Sequence, residues 1–572
     1  MSSSNRREYL TATTLDQALL DRNHDNLESR LEMITEIETP AGTIYASDRN
    51  KYVGGVFYEA LLTFPAIGRT VGEWLSPELQ FSTLTLEISN SDSRFNNILP
   101  GGASYNTWVG KSIVVKIGLA EQASTYKTIF QGTITDVGGF KRSVKSITVV
   151  ARDNYEKINV NFPTTVLNKT AYPNLSDNNV GRYLPVIYGD WTVNLDPDFA
   201  AVPTYALNLG DANVIGGSFD NIQFRISEND LISFDTTNVW LKRGDVYYQV
   251  PSADVVNVGA GNKTFEINQD TANLWVEDSG GVSISYKYAS SDEFFVRVKG
   301  KDLGAFDDNI VSQAKDLLLT YGGLSSGDFD ANWETYRDKA TPSQSAISTF
   351  KSRVWENEPK PLMQYVLSML EQVRLEAFID RNLKLKINSL HFEDWDASPS
   401  FTVRNWDVVK DSFAPSLDER NNFNRLQGVY DYRPNRNENA NKTPIFRNSA
   451  SVTAAGKAIS KQITFPNLYI PSQVDDQTKE ILKIASSLFE VVTTQTTWRS
   501  MLLDIGEFVL LNVQIGSSQF DNVPAMIRDI GYDPNGLKIS MKLWSTALLP
   551  FPGYTPGYSG TTGGSTATIT QE

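Results

Sequence analysis

His24 and His391 are the only histidines in the 572 residues, and there is no cysteine. A Ser-His-Asp or Cys-His site would therefore have to be built on one of these two imidazoles. Neither lies beside a Gly-x-Ser-x-Gly turn, the strand-to-helix elbow that presents a nucleophilic serine. A His-x-x-x-His zinc pair is also absent. Both histidines read as surface residues. Glu393-Asp394-Trp395-Asp396 sets carboxylates beside an aromatic ring, as glycosidases do. A glycosidase pair, however, is defined by a separation in space of roughly 5–10 Å, not by adjacency in sequence. The segment reads as a polar loop after a strand, with Trp395 packed on it. Gly259-Ala260-Gly261 and Gly322-Gly323 lack the Lys-Ser/Thr of a phosphate loop. No stretch matches a calcium loop with its central glycine and closing glutamate. Arg243-Gly244-Asp245, inside Lys242–Asp245, is explained by a tight hairpin turn. The chain is thus expected not to be an enzyme, with no catalytic, cofactor-binding or metal-binding residues and no cofactor.

The balance of charge points the same way. There are 67 acidic and 52 basic residues, a formal net charge of −15. A protein that grips nucleic acid needs a basic surface to meet the phosphates. Here Lys141-Arg142 is the densest basic pair in the first β region. With 40% hydrophobic and 11% aromatic residues, the chain can bury substantial cores. Its length calls for three or four of them. No window approaches the run of apolar residues a membrane-spanning helix needs. Met1–Glu8 lacks the apolar centre of a signal peptide. Synthesis and assembly in the cytoplasm, without stable membrane insertion, are expected. Absence of cysteine rules out disulfides and thiolate metal sites.

Stretches of period-two alternation position these residues. Leu84-Thr85-Leu86-Glu87-Ile88 alternates and ends in Ser89–Arg94. Ser112–Leu119 places Ile113, Val115, Ile117 and Leu119 on one face. Thr128–Val137 carries Gly132, where a strand often bends or bulges. Ser146–Asp153 alternates again, and Tyr183-Leu184-Pro185-Val186-Ile187-Tyr188-Gly189-Asp190 is a short apolar run bounded by turn residues. Four such strands at short spacing predict an antiparallel sheet or barrel. In this order they resemble the tail-hub, or baseplate-hub, proteins of tailed bacteriophages. The resemblance implies a homotrimer in which two small tube-like barrels per chain form a pseudo-sixfold ring. It implies a structural role at the tail tip of the virion: closing the distal end of the tail tube and adapting its hexameric symmetry to a trimeric spike or fibre base. The implied partners are the distal tail or tail tube protein, the tape-measure protein and a central spike or fibre protein. DNA would pass through without specific binding, past an acidic wall that repels phosphate. A tail-borne carbohydrate- or receptor-binding protein is the alternative reading, and a glycan hydrolase a third.

The remainder divides by pattern. Residues 1–30 form a polar arm with Leu10, Leu15, Leu19 and Leu20. Residues 31–160 hold the first tube-like barrel, with a strand at Met33–Ile37, a turn at Thr39–Gly42 and a strand from Gly54 to Tyr58. Residues 161–200, with Pro163, Pro173, Pro185 and Pro197, form a connector. Residues 201–300 read as an inserted all-β domain containing Val239–Leu241, Val246–Val250 and Val282–Tyr288. Residues 301–399 form a mixed middle domain. Ile310, Ala314, Leu317, Leu318 and Tyr321 mark one helix, ended by Gly322-Gly323. A second opens at Thr341-Pro342 and runs through Ile347 and Phe350. A third spans Pro361 to about Phe378 and feeds a strand at Leu383–Ile387. Residues 400–550 form the second tube-like domain. It has a strand at Arg425–Tyr432, a helix over Asp475–Val492, and strands at Gly506–Val513, Ala525–Gly531 and Leu537–Leu543. Residues 551–572, rich in Gly, Ser and Thr, form a flexible tail or a peptide that orders on a partner. The fold class is β-rich α+β: two small antiparallel barrels, an inserted all-β unit and a helical middle.

Overall fold

A computed structural model describes residues 31–571 except 64–66, 74–75, 80–82, 120–122, 139–144, 174, 176, 193–201, 208–220, 245, 259, 269–273, 278–282, 286–292, 339–349, 381–382, 391–400, 419–421, 435, 487, 498–499, 501–502, 516–517, 534–537 and 550–568. The arm 1–30, the helix expected at 341–347, both histidines, Glu393–Asp396 and Asp245 lie outside the described residues.

The alternating segments pair into a nine-stranded sheet. Its order is Lys51–Val53, Val56–Ala60, Gly42–Ser47, Leu31–Thr39, Ser112–Leu119, Lys127–Gly138, Ser146–Asp153, Thr83–Ser89, Leu62–Thr63. The register follows the alternation. Leu86 opposes Val149, and Met33 opposes Ile117. Leu84, Leu86, Ile88, Ile113, Val115, Ile147 and Val149 are all buried on one face. Thr83, Thr85 and Glu87 are exposed on the other. Gly132 lies between two register shifts, Thr128/Phe130 and Ile134/Asp136. A Cβ there would sit 2.2 Å from the Arg152 carbonyl oxygen. The glycine is what lets the bulged strand lie so close to its neighbour.

A second sheet comes from the other end of the chain. Its path runs Phe401–Arg404, Phe508–Ile515, Ser518–Asp533, Lys538–Leu549, Leu488–Thr497, Ala414–Asp418. An additional strand, Ile67–Glu73, is contributed by the first region and pairs antiparallel with Ser518–Asp533, with Arg69 opposite Ile530. Consequently Met33, Leu86 and Ile113 share one hydrophobic core with Val492, Val509 and Leu543. The fold is β-rich α+β, as expected, but among the described strands neither sheet closes into the expected barrel. Among the described strands the first path stays open from Lys51–Val53 to Leu62–Thr63. The strand that follows its last edge is committed to the other sheet instead.

A second core is built by helices α1 (Ile310–Tyr321), α2 (Asn332–Asp338), α3 (Leu362–Glu371) and, beyond the short α4 (Ser449–Ala455), α5 (Pro471–Ala485). The Asn309 side chain caps α1 by accepting from the Val311 and Ser312 amides at 3.0 Å. Two expected helices are shorter than the pattern suggested. α3 stops at Glu371, the chain turns at Arg374 (φ 60°), and Leu375–Ile379 is a strand paired with Leu385–Ser389. α5 stops at Ala485, and Leu488–Thr497 is a strand. Both continuations are apolar or β-branched runs whose period alone does not separate helix from buried strand. Arg425–Arg433 lies in a small sheet with Glu438–Lys442, Phe446–Asn448, Ser460–Phe465 and Ile569–Gln571. The last described residues of the expected flexible tail therefore form a strand, with Ile569 packed against the middle core.

A nine-stranded sheet occupies residues 202–299, from Val202–Leu207 to Glu293–Lys299. It has its own core, in which Phe224, Phe234, Phe265 and Phe294 pack together. The two ends of this segment meet where the Gly300 amide donates to the Gly189 carbonyl at 2.8 Å.

Candidate functional site: the seam between the two sheets

The seam is assembled from the strand Ile67–Glu73, the hairpin Leu375–Ile379/Leu385–Ser389 and the strand Ser518–Asp533. Arg69 projects from the first of these and is buried. Its Nη1 donates to Asp504 Oδ1 at 2.7 Å, and its Nη2 donates to the Ile379 carbonyl. Arg528 lies at the bulge between Ile527 and Asp529. Its Nη1 donates to Glu376 Oε2 at 2.6 Å, while its guanidinium lies 3.9 Å from the centre of the Trp544 ring. Asn388 Nδ2 donates to the Gly506 carbonyl at 2.8 Å. Asp153, the last residue of Ser146–Asp153, accepts from the Tyr155 amide at 2.9 Å. Burial holds its carboxyl above the usual range, partly offset by the nearby Arg69 charge. Each cation is thus matched to an anion or carbonyl from a different element. Removing one partner would strand a buried charge at a cost of about 3–5 kcal/mol.

A second charged cluster ties the inserted sheet to the body. Arg353 Nη2 donates to Asp431 Oδ1 at 2.7 Å, and Arg433 Nη2 reaches the other Asp431 oxygen at 3.3 Å. The Arg353 guanidinium lies 4.0 Å from the Tyr469 ring centre and 4.9 Å from that of Trp191. Burial lowers its affinity for the proton, and Asp431 opposes that shift. This stacked, paired arginine is a positioning device of the kind a guanidinium performs better than an ammonium.

An open groove of about 560 Å³ lies on the outer face of the second sheet. Val409–Ser412, Thr493–Gln495, Asp529 and Ser540–Lys542 line it. Ser412 Oγ donates to the Val409 and Gln495 carbonyls at 2.7 and 3.0 Å. Ser540 Oγ donates to the Gly531 carbonyl at 3.4 Å. Burial raises the Asp529 carboxyl, and Lys542 opposes it. The hydroxyls are used by the backbone, and the groove offers a polar contact surface. Among the described residues no group of three His, Cys, Asp or Glu side chains could hold a metal ion. No helix of the described residues is long and apolar enough to cross a membrane.

Sequence reasoning missed Arg69, Glu376, Arg528, Arg353 and Asp431, because a lone charge reads as surface. The available signal was Arg528 within the apolar run Ala525–Ile530. An arginine inside a central strand must find a partner or leave the sheet.

No protein-family model matches the sequence, and no curated relative matches it. Solved structures do. The tail protein from Neisseria meningitidis MC58 is similar at a TM-score of 0.40 and 9% identity, over 90% of this chain and 96% of that one. The 43 kDa tail protein of prophage MuSo2 from Shewanella oneidensis is similar at a TM-score of 0.37 and 10% identity, over 90% and 98%. A chain in the virion of a native gene transfer agent is similar at a TM-score of 0.34 and 11% identity, over 71% and 93%. These are tail and virion proteins, the class that the strand pattern resembles.

Proposed function

We propose that this protein is a structural hub of a phage tail or of a tail-derived particle. In this reading it is not an enzyme, and it closes the distal end of the tail tube above a trimeric spike or fibre base. Residues 31–160 and 400–550 are the two tube-wall units, and 201–300 is a peripheral insertion. The observation that carries the reading is the strand Ile67–Glu73. It leaves the first sheet's region to pair with the second, fusing both into one core. A chain built this way carries two sheets in fixed relation. Three copies would set six sheets around an axis, which matches a sixfold tube on one side and a threefold spike on the other. The polar outer faces fit a wall that DNA passes without binding. Examples are Thr83, Thr85 and Glu87 on one sheet and Thr493, Gln495 and Ser540 on the other. The expected partners are the tube or distal tail protein, the tape-measure protein and the spike or fibre base.

The carbohydrate-binding alternative would use exposed rings on the inserted sheet. There Trp240 and Phe295 are only 6% and 3% exposed, and Tyr247 is half-buried. Light scattering on the purified protein, alone and mixed with its tail proteins, tests the hub reading. A trimer is expected, and a chain that stays monomeric in both conditions would overturn it.

A further inference from the structure

The small sheet on the middle core has one edge filled from far along the chain. Phe446–Asn448 pairs on one side with Arg425 and Leu426. On the other side it pairs antiparallel with Ile569–Gln571, Asn448 opposite Ile569, Arg447 opposite Thr570 and Phe446 opposite Gln571. The edge itself is firmly held. Phe446 and Asn448 are each 3% exposed. The Asn448 amide donates to the Asn424 carbonyl at 3.0 Å, and its Nδ2 donates to Ser486 Oγ at 2.7 Å. Lys479 Nζ of α5 lies 5.1 Å from the centre of the Phe446 ring.

The strand that fills the edge is held far less. Ile569 is half-buried against the middle core, whereas Thr570 and Gln571 are exposed. A three-residue strand with one anchored side chain is marginal by itself. Its attachment is also longer than the fold needs. Leu549 pairs with Leu488, two residues beyond the Ser486 that bonds the Asn448 side chain. Leu549 and Ile569 therefore lie at neighbouring places, where a connection of a few residues would do. Nineteen residues, 550–568, join them, rich in Gly, Ser and Thr. A chain of that length and composition spans roughly 25 Å on average. It supplies its end at an effective concentration on the order of millimolar. Such a cover belongs to the low-stability end of a molecule, seated by its tether and open to exchange.

We infer that the Phe446–Asn448 edge is a strand-acceptor site for an extended segment of a partner protein, and that Ile569–Gln571 is the tethered cover such a segment displaces. The seated cover shows the chemistry that fits. Main-chain hydrogen bonds along a sheet edge supply affinity, and one aliphatic side chain in the place of Ile569 supplies selectivity. The places of Thr570 and Gln571 face solvent, so polar residues suit them. Left bare, an edge strand pairs with any extended chain, and a tethered cover limits that hazard. The site stands apart from the hub reading, and either can fail alone.

The probe is a synthetic peptide of residues 565–572 with photoreactive benzoylphenylalanine in place of Thr570. A control peptide carries Asp in place of Ile569 as well. Each is irradiated with the parent chain and with the Ile569→Asp chain, and mass spectrometry maps and quantifies the cross-links. On the Ile569→Asp chain the first peptide should label the Phe446–Asn448 edge at least roughly tenfold more than the control, because only it buries an aliphatic side chain. Labelling of the parent should be at least roughly twofold lower, since the tethered copy competes. Equal labelling by both peptides, or none at this edge, would overturn the acceptor site. Equal labelling of both chains would overturn the cover. The protein has no cysteine, so Arg447→Cys with Thr570→Cys tests where the cover comes from. Oxidation should close a disulfide within one chain. Disulfide-linked dimers on denaturing gels would mean that copies exchange the segment, and the cover within one chain would be wrong.

Discussion

Arg528 and Glu376 are both almost fully buried and are joined by a hydrogen bond of 2.6 Å. Taking both charges out of water costs several kcal/mol, which the pairing roughly offsets. Arg528→Met should therefore lower the unfolding free energy of the C-terminal sheet by about 3–5 kcal/mol, because Glu376 is left charged and alone. Arg528→Met with Glu376→Leu should recover most of that loss. Denaturant unfolding followed by Trp fluorescence checks both, and equal losses in the single and double variants would contradict the pairing. A second residue responds to pH. Burial alone holds the Glu490 carboxyl above its usual range. The folded chain then prefers the protonated form. Its stabilising contribution is present below the unfolded pKa and is lost as pH rises through the higher folded value. Glu490→Gln should melt above the parent at pH 7. The gap should close as pH falls below about 4.3, the ordinary glutamate value. A gap of constant size across that range would show that the carboxyl is not perturbed.

At the scale of elements, the narrow point is where the inserted sheet joins the body. Val186–Tyr188 pairs with Val354–Glu356, and Gly189 follows with φ of 78°. A Cβ on Gly189 would lie 2.2 Å from the Ser352 carbonyl oxygen. On the returning side, a Cβ on Gly300 would lie 2.4 Å from Tyr188 Cα. Backbones pass this closely only where no side chain intervenes. Gly189→Ala should destabilise the junction by about 1–3 kcal/mol from conformation alone, before the clash is counted. Thermal unfolding with limited proteolysis is the measure: cleavage should appear first at the junction itself, beside Gly189 and Gly300. An unchanged melting temperature would mean the crossing relaxes freely.

For the whole molecule, the inserted sheet has its own aromatic core yet shares Ile187, Trp191 and Trp355 with the body. Its two ends meet at Gly189 and Gly300. Replacing residues 202–299 with a short Gly/Ser bridge should leave the two-sheet core intact and trimers formed, provided Trp355 is made polar to avoid an exposed patch. Electron microscopy of tails carrying the deletion reads the outcome. Closed tips lacking an outer component would support a peripheral role for the insertion, and open tips would place it inside the ring.

Which face of each strand is buried was legible in the local pattern of residues. The alternation of Leu84–Ile88, Ser112–Leu119 and Ser146–Asp153 is local, and burial follows it residue by residue. α1 was legible for the same reason, with its helical period and glycine stop. Tertiary structure decided what locality cannot. Leu488–Thr497 became a strand because Ala414–Asp418 and Lys538–Leu549, both distant in the chain, pair with its two edges, whereas Leu375–Ile379 became one arm of a hairpin with Leu385–Ser389. Ile67–Glu73 left its own region for a strand some 460 positions away, and so the sheets stayed open and shared a core. Of the seam's charges only Arg528, set among apolar residues of a strand, left a trace in the sequence; a buried arginine otherwise differs from a surface one only by the partner that reaches it. Pattern encodes the face a residue turns inward, whereas pairing across long loops is set by the summed packing of the whole chain.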